Sequence, residues 1–308
     1  MTARYIIDQQ LKIRPTSDAE VNKFAGQINI MNEQAFQDFD FIAPEHKCTM
    51  MNLVDTENSY LNVLPTCFVG SVAIPDKKNP TADPYCFAFY LDRSHLFFLD
   101  NGNLCTNIVG KIYEHKMLRQ PTTTYCLFEF FRLLVKNDQK FLSGYEDQME
   151  DTEEAILNND NVDVNHVMLY YRRTLLKLDT YYGQLVDIFD EIDNNDNNVL
   201  TEEEAGLFTE IQQTCERLGD RVSTLREYSI QLRELHQTQI DTQQNNTMQL
   251  FTIITVLFVP LTLMTGWFGM NFVHFPGLDA EWAYPVFVLA VVIIVVIEII
   301  IFRKRGWL

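Results

Sequence analysis

The chain of 308 residues has little positive charge and few cysteines, and both shortages exclude classes of function. Its 24 lysines and arginines are outnumbered by 42 aspartates and glutamates, which gives a formal net charge of −18. A surface of that sign repels the phosphates of nucleic acids and attracts cations. The six cysteines form no CxxC pair and lie far apart, so they indicate reduced thiols and argue against a zinc site or a disulfide framework.

The sequence also lacks enzyme motifs, and a long part of it lacks proline. The sequence has no GxxxxGK[ST] phosphate-binding loop and no catalytic constellation, so we do not expect an enzyme. Proline is absent from residue 122 to residue 259, and because proline disrupts helix interiors, this stretch permits very long helices. The apolar spacing predicts helices over 123–158, 165–192 and 201–270.

Two apolar runs close the chain, Leu250–Phe268 and Tyr284–Phe302, and each is 19 residues long. At about 1.5 Å per residue, a helix of that length spans roughly 30 Å, the thickness of a bilayer core. Trp267 and Trp282 flank the loop between the runs, where aromatic side chains commonly anchor a protein to the membrane surface. A buried hairpin of a soluble protein is the alternative. The length of both runs favours two membrane spans.

Basic residues predict the orientation of these spans. Arg303–Arg305 follow the second run directly, and the loop between the runs has no lysine or arginine. The positive-inside rule therefore predicts a cytoplasmic C-terminus, and two crossings return the N-terminus to the same side. Met1–Asp8 has no apolar core of signal-peptide length, which agrees with a multi-pass protein of the cell (inner) membrane. Only three acids and three bases lie beyond residue 245, so the excess of acids belongs to the cytoplasmic part.

The remaining sequence predicts an α/β domain in front of the helices. Short aromatic-rich runs at 66–75, 86–92 and 95–100 are bounded by turn-forming residues and indicate β-strands. The expected segments are an α/β cytoplasmic domain (1–120), cytoplasmic helices (121–200), a stalk continuous with the first span (201–270), an outer loop (271–283), the second span (284–303) and a basic tail (304–308).

A stripe of small and polar residues follows one face of the first span. Its members recur at three- or four-residue steps, with Phe251 and Thr252 at the edge: Asn245, Met248, Phe251, Thr252, Thr255, Val259, Thr262, Gly266 and Gly269. The opposite side, from Leu250 to Phe268, is apolar. One interpretation is a close contact between membrane helices, which small residues favour. The other is the wall of a pore, which requires several copies of the chain around an axis.

The first span ends in Gly269-Met270-Asn271, and the segment from Thr252 to Phe272 resembles the pore helix and signature motif of the CorA-type magnesium transporter family. The acidic cytoplasmic part, the long stalk helix and the two C-terminal spans are similar to that family in layout. The resemblance is close over residues 245–308. It implies a homopentameric, funnel-shaped channel that passes Mg²⁺, with Co²⁺ or Ni²⁺ as further candidate cargo. A zinc-transporting member of the same superfamily is the alternative.

The resemblance also implies a selectivity filter at the outer mouth. Gly269, Met270 and Asn271 would form it, with amide and carbonyl oxygens that bind the hydrated ion through its waters. In the outer loop, Asp279 and Glu281 would attract cations before uptake. Ordinary solvation of a loop explains these two acids as well.

Gating residues follow from the same resemblance. Met248, Phe251 and Val259 would form a hydrophobic constriction that closes by dewetting. Alignment along the stalk from the signature motif suggests Glu210 as a ligand of a regulatory magnesium site. Glu298 lies inside the second span, where an acid is a candidate for a functional role, and we expect it instead to pair with the basic tail or to extend toward the membrane surface.

Residues 193–204 resemble an EF-hand calcium loop. Oxygen-bearing side chains stand at five of its ligand positions: Asp193, Asn195, Asn197, Thr201 and Glu204. Asn198 replaces the usual glycine, and asparagine tolerates the left-handed backbone required there. The alternative is an acidic turn in which Thr201 and Glu204 cap the following helix. If the loop binds Ca²⁺, a membrane-anchored calcium sensor that conducts nothing is a further candidate function.

Overall fold

The computed structural model describes residues 3–8, 12–15, 26–37, 42, 44–54, 57–77, 79, 82–158, 163–270 and 281–307. The chain divides into two compact units, Met1–Arg233 and Glu234–Leu308, named here the N-terminal and C-terminal units. The expected α/β architecture is found in the N-terminal unit.

A seven-stranded sheet forms the centre of the N-terminal unit. Its strands are β1 (Ala3–Asp8), β2 (Lys12–Pro15), β3 (Gly26–Met31), β4 (Tyr60–Leu64), β5 (Cys67–Ile74), β6 (Tyr85–Leu91) and β7 (His95–Leu99). Their order is β2-β1-β3-β7-β6-β5-β4. β3 and β7 pair in parallel, and the other described neighbours pair antiparallel. The three strands expected from the aromatic-rich runs are confirmed as β5, β6 and β7.

Helices take up most of the remaining chain. They are α1 (Glu33–Gln37), α2 (Pro44–Val54), α3 (Leu104–Glu114), α4 (Thr123–Val135), α5 (Asp138–Leu157), α6 (Val164–Asn194), α7 (Glu202–Phe268) and α8 (Ala283–Lys304). The predicted helices 165–192 and 201–270 are confirmed as α6 and α7. The predicted single helix 123–158 is wrong, because the chain turns at Lys136 and Asn137 and forms α4 and α5 instead.

One face of the sheet is covered by α1 and α2. Because side chains alternate along a strand, Ala88 and Tyr90 of β6 share this face with Phe97 of β7. They form a buried apolar cluster with Phe36 of α1 and Met50 of α2. Tyr90 and Phe97 contact edge to face, with ring centroids 5.6 Å apart.

The other face of the sheet packs against α4. Phe130 stacks on Phe98 with ring centroids 4.5 Å apart, and Phe131 meets Phe89 edge to face at 5.6 Å. Gly70 lies opposite Phe89 in the sheet, where a Cβ would stand 2.6 Å from the ring. These contacts make the helical region that begins near residue 121 part of the same core as the sheet.

A buried acid explains the break between α4 and α5. Asp138 is 0 % exposed at the first position of α5, where it forms an ion pair with Lys77 and accepts a hydrogen bond of 3.0 Å from the Tyr182 hydroxyl. A straight continuation of the apolar α4 gives this carboxylate no such partners. The turn therefore places the Asp138 carboxylate beside the Lys77 ammonium.

The N-terminal part of α7 packs through the predicted apolar seam. Ile211, Leu218, Val222, Leu225 and Leu232 are buried as expected. At its start the seam differs, because the predicted Leu207 is half-buried and the neighbouring Phe208 takes the core position. Phe208 lies 6.2 Å from Phe189 of α6, ring centroid to ring centroid.

All six cysteines are free thiols. Cys67, Cys105, Cys126 and Cys215 are buried, and burial raises the pKa of each thiol. These side chains therefore pack as small apolar groups.

In the C-terminal unit, α7 and α8 contact near both ends of the apolar runs. At one end, the rings of Phe268 and Phe287 meet edge to face with centroids 5.0 Å apart. At the other, Trp307 stacks on Phe302, and its carbonyl accepts a hydrogen bond of 3.3 Å from Gln249 Nε2. The tail thus ties the end of α8 to the start of the first run.

Candidate functional site

The small and polar stripe of α7 lies on an exposed side of the C-terminal unit. Thr252 at its edge is half-buried, and the other members from 245 to 266 are exposed: Asn245, Met248, Phe251, Thr255, Val259, Thr262 and Gly266. On the opposite side, Leu257, Leu261 and Met264 are half-buried. Leu250, Ile254 and Phe268 belong to the same apolar side but are exposed. The stripe is therefore available to lipid, water or another chain.

A groove of about 790 Å³ runs along this exposed side of α7. Its lining includes four members of the stripe together with the second residue of the signature tripeptide: Thr255, Val259, Thr262, Gly266 and Met270. At Gly266 a Cβ would meet no described atom within 4 Å. Contacts inside the chain therefore give no reason for glycine at this position.

The threonine hydroxyls of the stripe have a fixed hydrogen-bonding direction. Thr255 Oγ1 donates to the Phe251 carbonyl and Thr262 Oγ1 to the Phe258 carbonyl, both at 2.8 Å. Each hydroxyl has one proton, and that proton is used within the helix. The oxygens that remain on the groove side are hydrogen-bond acceptors, which match the outward-pointing protons of waters around a cation.

The signature tripeptide begins where α7 ends. The Gly269 amide donates to the Thr265 carbonyl at 2.9 Å, and the Met270 amide reaches the Trp267 carbonyl at 3.4 Å. Met270 is exposed. Asn271 and Asp279 lie outside the described residues, whereas Glu281 is described and exposed.

Apolar members of the stripe lie nearer the start of the span. Met248, Phe251 and Val259 are 58 %, 61 % and 58 % exposed, so no part of their own unit covers them. Pro260 follows directly, and α7 continues through it. Because proline has no amide hydrogen, the Val256 carbonyl lacks its usual helical donor.

Both apolar helices have the properties of membrane spans. α7 and α8 are long and apolar enough to cross a bilayer, and only 0 % and 6 % of their apolar windows are buried. The core helix of a soluble protein buries such residues, so the exposure argues against a soluble hairpin. Trp267 and Trp282, at the ends of the two helices, are 61 % and 66 % exposed.

Comparison with known proteins decides the family. The model of the CorA-like Mg²⁺ transporter protein family matches residues 51–304. The chain belongs to this family. The cobalt/magnesium transport protein CorA of Thermotoga maritima is 25 % identical over 196 residues, which are 64 % of this chain and 56 % of that protein. The magnesium transport protein CorA of Wolinella succinogenes is 42 % identical over 77 residues, 25 % of this chain and 24 % of that protein.

A solved structure extends the similarity to the whole fold. The complete structure of the CorA magnesium transporter from Methanocaldococcus jannaschii has a TM-score of 0.84 and 15 % identity, and the match covers 100 % of this chain and 99 % of that one. The α/β domain, the long helix and the two C-terminal apolar helices predicted from the sequence are thereby confirmed. By sequence, the chain spans about half the length of the Thermotoga maritima relative and about a quarter of the Wolinella succinogenes relative.

In this CorA-family chain, the turn 193–204 joins α6 to α7 and uses its side-chain oxygens internally. Asn195 ends α6 with a left-handed backbone, φ 48°. Its Oδ1 accepts from the Leu200 amide at 3.1 Å and its Nδ2 donates to the Leu200 carbonyl at 2.8 Å. Asn197 Nδ2 donates to the Leu64 carbonyl at 2.8 Å, which ties the turn to the end of β4.

The other three candidate calcium ligands are also engaged. Glu204 Oε2 accepts from the Thr201 amide at 3.1 Å, and Thr201 Oγ1 accepts from the Glu204 amide at 3.3 Å. This is the capping box expected as the alternative to a calcium site. Asp193 Oδ1 accepts from the Thr209 hydroxyl at 3.0 Å.

Arg93 binds backbone carbonyls of the same turn. Arg93 Nε donates to the Val199 carbonyl and its Nη2 to the Asn198 carbonyl, both at 3.0 Å. The carbonyl at the position of Val199 is the one that binds calcium in an EF-hand, and here a guanidinium already takes it. Asn198 is left-handed as expected, φ 54°. The geometry favours a structural turn, and calcium binding stays a prediction.

Glu210 lies among basic side chains. Glu210 is exposed at a cavity that Arg132, Lys136 and Arg217 also line. Among the described residues, no group of three or more His, Cys, Asp or Glu side chains is placed to hold a metal ion. Glu210 as a ligand of a regulatory magnesium site stays a prediction.

Sequence reasoning missed the polar contacts that join distant segments. The ion pair of Lys77 with Asp138 and the bonds of Arg93 to the 198–199 backbone link residues at least 61 positions apart, and no local pattern marks them. Glu298 was expected to pair with the basic tail, but its Oε2 is buried without a hydrogen-bond partner among the described residues. Spacing along one helix cannot report such partners.

Proposed function

We propose that this CorA-family chain assembles as a homopentamer and forms a passive channel that carries Mg²⁺ into the cell. The observation that carries the proposal is the exposed stripe on α7, in which acceptor oxygens and a glycine without internal contacts face away from their own unit. One hairpin cannot enclose water, so a path for ions requires several copies of α7 around an axis. Close approach of a neighbouring copy of α7 would also explain why residue 266 is glycine.

Magnesium suits such a lining because it keeps its water shell. It is a small, hard cation that dehydrates reluctantly and prefers oxygen ligands. Thr255 and Thr262 offer lone pairs to the waters of the hydrated ion. We infer that Gly269, Met270 and Asn271 form the outer filter, where amide and carbonyl oxygens bind the same shell. Neutral oxygens bind a dication weakly enough to release it.

The membrane potential supplies the driving force in this proposal. A dication moving through a potential of 100 mV gains about 4.6 kcal/mol, twice the value for a single charge. Met248, Phe251 and Val259 would form the closed constriction, which opens when the helices separate and water enters. With both termini in the cytoplasm, Asp279 and Glu281 lie on the outer side and raise the local cation concentration.

Mg²⁺ uptake into proteoliposomes tests the proposal. We expect Asn271→Ala to lower uptake by at least about tenfold, because each subunit loses a hydrogen bond worth about 1 kcal/mol at the narrowest point. Thr262→Val should lower uptake several-fold. Thr252→Val is the matched control, since Thr252 makes the same hydrogen bond to its own helix, at 2.7 Å, but is half-buried and outside the groove.

The outcomes separate the candidate functions. Unchanged Mg²⁺ uptake in Asn271→Ala would remove the filter assignment, and equal effects of the two threonine variants would remove the groove as the ion path. Uptake rates of Co²⁺, Ni²⁺ and Zn²⁺ in the same vesicles, compared with the rate for Mg²⁺, show which ion the protein transports fastest. Faster uptake of Zn²⁺ than of Mg²⁺ would favour the zinc-transporting alternative. Strictly monomeric protein in lipid would contradict the channel itself.

A further inference from the structure

A basic cavity lies in the N-terminal unit, although that unit is strongly acidic. It has a volume of about 310 Å³ and is lined at its rim by Arg132 and Lys136 of the α4 end, Arg217 of α7 and the single acid Glu210. Up to residue 245 the chain has 39 acids and only 21 bases. The three cationic side chains around this cavity therefore have a charge opposite to the net charge of the unit.

Two of these cations have no carboxylate partner. Lys136 makes no hydrogen bond or ion pair with the described residues, and Arg217 donates only to the Thr214 hydroxyl, at 2.8 Å. Arg132 is different, because its Nε and Nη2 both donate to Glu129 Oε2, at 3.0 and 2.7 Å. The Arg132–Glu129 pair is neutral, so Lys136 and Arg217 against Glu210 leave the cavity with a net positive charge.

The cavity also has donors and an apolar floor. The Gln139 side chain adds an amide donor to its lining, whereas the Thr214 hydroxyl already donates to the Glu210 carbonyl, at 2.9 Å. Val135, Ile211 and Leu218 form the floor and are each at most 4 % exposed, so they are held firmly by the core. The volume lies at the lower end of the range for small-molecule sites, roughly 300–1,000 Å³. The space thus fits a small anionic group with room for an apolar part beside it.

We propose that this basic cavity binds a phosphate-type oxyanion, held by Lys136 and Arg217 with Arg132 and Gln139 beside them. Guanidinium groups match the geometry of phosphate oxygens, and ammonium groups neutralise their charge. Glu210 is the carboxylate in the lining, and Glu129, the partner of Arg132, is already neutralised. Free orthophosphate and the phosphates of a nucleotide share this chemistry. The inference does not depend on the proposed transport.

Isothermal titration of the full-length protein in nanodiscs, without divalent cations, tests the proposal. The probes are orthophosphate, ATP and adenosine, which separate the oxyanion from the nucleoside. The test variant is Lys136→Gln/Arg217→Gln. The matched control is Lys140→Gln/Arg233→Gln, which removes the same charge from exposed positions outside the cavity. We expect saturable binding of orthophosphate or ATP that weakens about tenfold in the test variant and less than twofold in the control.

Binding should also weaken as salt rises, because both cations are exposed and screened by ions. Tighter binding of ATP than of orthophosphate would identify a nucleotide as the source of the oxyanion, and equal binding would identify free phosphate. Three results would overturn the proposal: no saturable binding of either anion up to roughly 10 mM, adenosine binding as tightly as ATP, or equal loss in both variants. A change of oligomeric mass in the test variant, without phosphate binding by the wild type, would assign the cations to carboxylates of a second copy instead.

Discussion

The buried carboxylate of Asp138 makes the stability of the N-terminal unit depend on Lys77. Asp138 is 0 % exposed, whereas the side chain of Lys77 is 36 % exposed. Lys77→Met keeps the length of the side chain and removes its charge, which leaves a buried carboxylate with the Tyr182 hydroxyl as its remaining partner. Removing one partner of a buried ion pair costs about 3–5 kcal/mol. We expect the lower end, about 3 kcal/mol, because water can follow the half-exposed lysine.

Thermal unfolding of the full-length protein measures this effect. For a unit of this size, 1 kcal/mol shifts Tm by about 2–4 °C, so Lys77→Met should lower Tm by roughly 6–12 °C at pH 8. Lys140→Met is the control, because this exposed lysine has no ion pair with the described residues, and its effect should stay within about 0.5 kcal/mol. In Lys77→Met/Asp138→Asn the buried charge is absent, so most of the lost stability should return.

The effect should also depend on pH. Burial raises the pKa of Asp138, and the Lys77 ammonium and the Tyr182 hydroxyl act against that rise. Because the folded pKa lies above the unfolded value, the folded state favours the protonated carboxyl, and stability falls as pH rises through the folded pKa. Without Lys77 the folded pKa rises further. The cost of Lys77→Met should therefore shrink as pH falls toward about 4. A cost that does not change with pH, or no rescue by Asp138→Asn, would refute this reasoning.

Three other predictions follow from single contacts. Gly70→Ala should destabilise the N-terminal unit by about 1–3 kcal/mol in thermal unfolding, because the added Cβ would stand 2.6 Å from the Phe89 ring. Gly183→Ala on α6 is the control: no described atom lies within 4 Å of its added Cβ, so it should be neutral or stabilising. Equal effects of the two variants would contradict the packing argument. Glu204→Gln should leave calcium titrations of the full chain unchanged, and a loss of calcium binding would restore the EF-hand interpretation. Burial acts to raise the pKa of Asp92, but hydrogen bonds from the His95 imidazole and from the Ser94 and His95 amides hold that pKa below its usual range. The ionised carboxylate therefore stabilises the fold above about pH 4, and this contribution is lost as pH falls through the folded pKa. Asp92→Asn should accordingly lower Tm at pH 7 and have little effect at pH 2.

Periodicity was sufficient to predict α6 and α7 and to place the small and polar stripe on one face of α7. The seam from Ile211 to Leu232 and the stripe from Asn245 to Gly266 both depend on residues three or four apart, and such neighbours are fixed by helix geometry alone. The strands β5, β6 and β7 were predictable for a similar reason, because their aromatic-rich runs are buried on both faces. Sequence patterns of this kind report which side of an element faces the core.

Features that depend on distant partners were not predictable in the same way. The break after Val135 exists because Asp138 must reach Lys77 and Tyr182, which lie 61 and 44 residues away. The turn 193–204 has the oxygen spacing of a calcium loop, but the Arg93 guanidinium comes from a hairpin about a hundred residues earlier. No local rule distinguishes a ligand oxygen from one that a remote donor already occupies.

If α7 lines the proposed channel, the hydrogen bonds of Thr255 and Thr262 to their own helix have a consequence for ion discrimination. A surface that offers lone pairs and no protons repels chloride and phosphate even though it carries no formal charge. Such sign selectivity involves no titratable group, so cation preference along this stretch should persist under acidic conditions that neutralise carboxylates. Reversal potentials measured between pH 5 and pH 8 would then coincide, while the total current is free to vary.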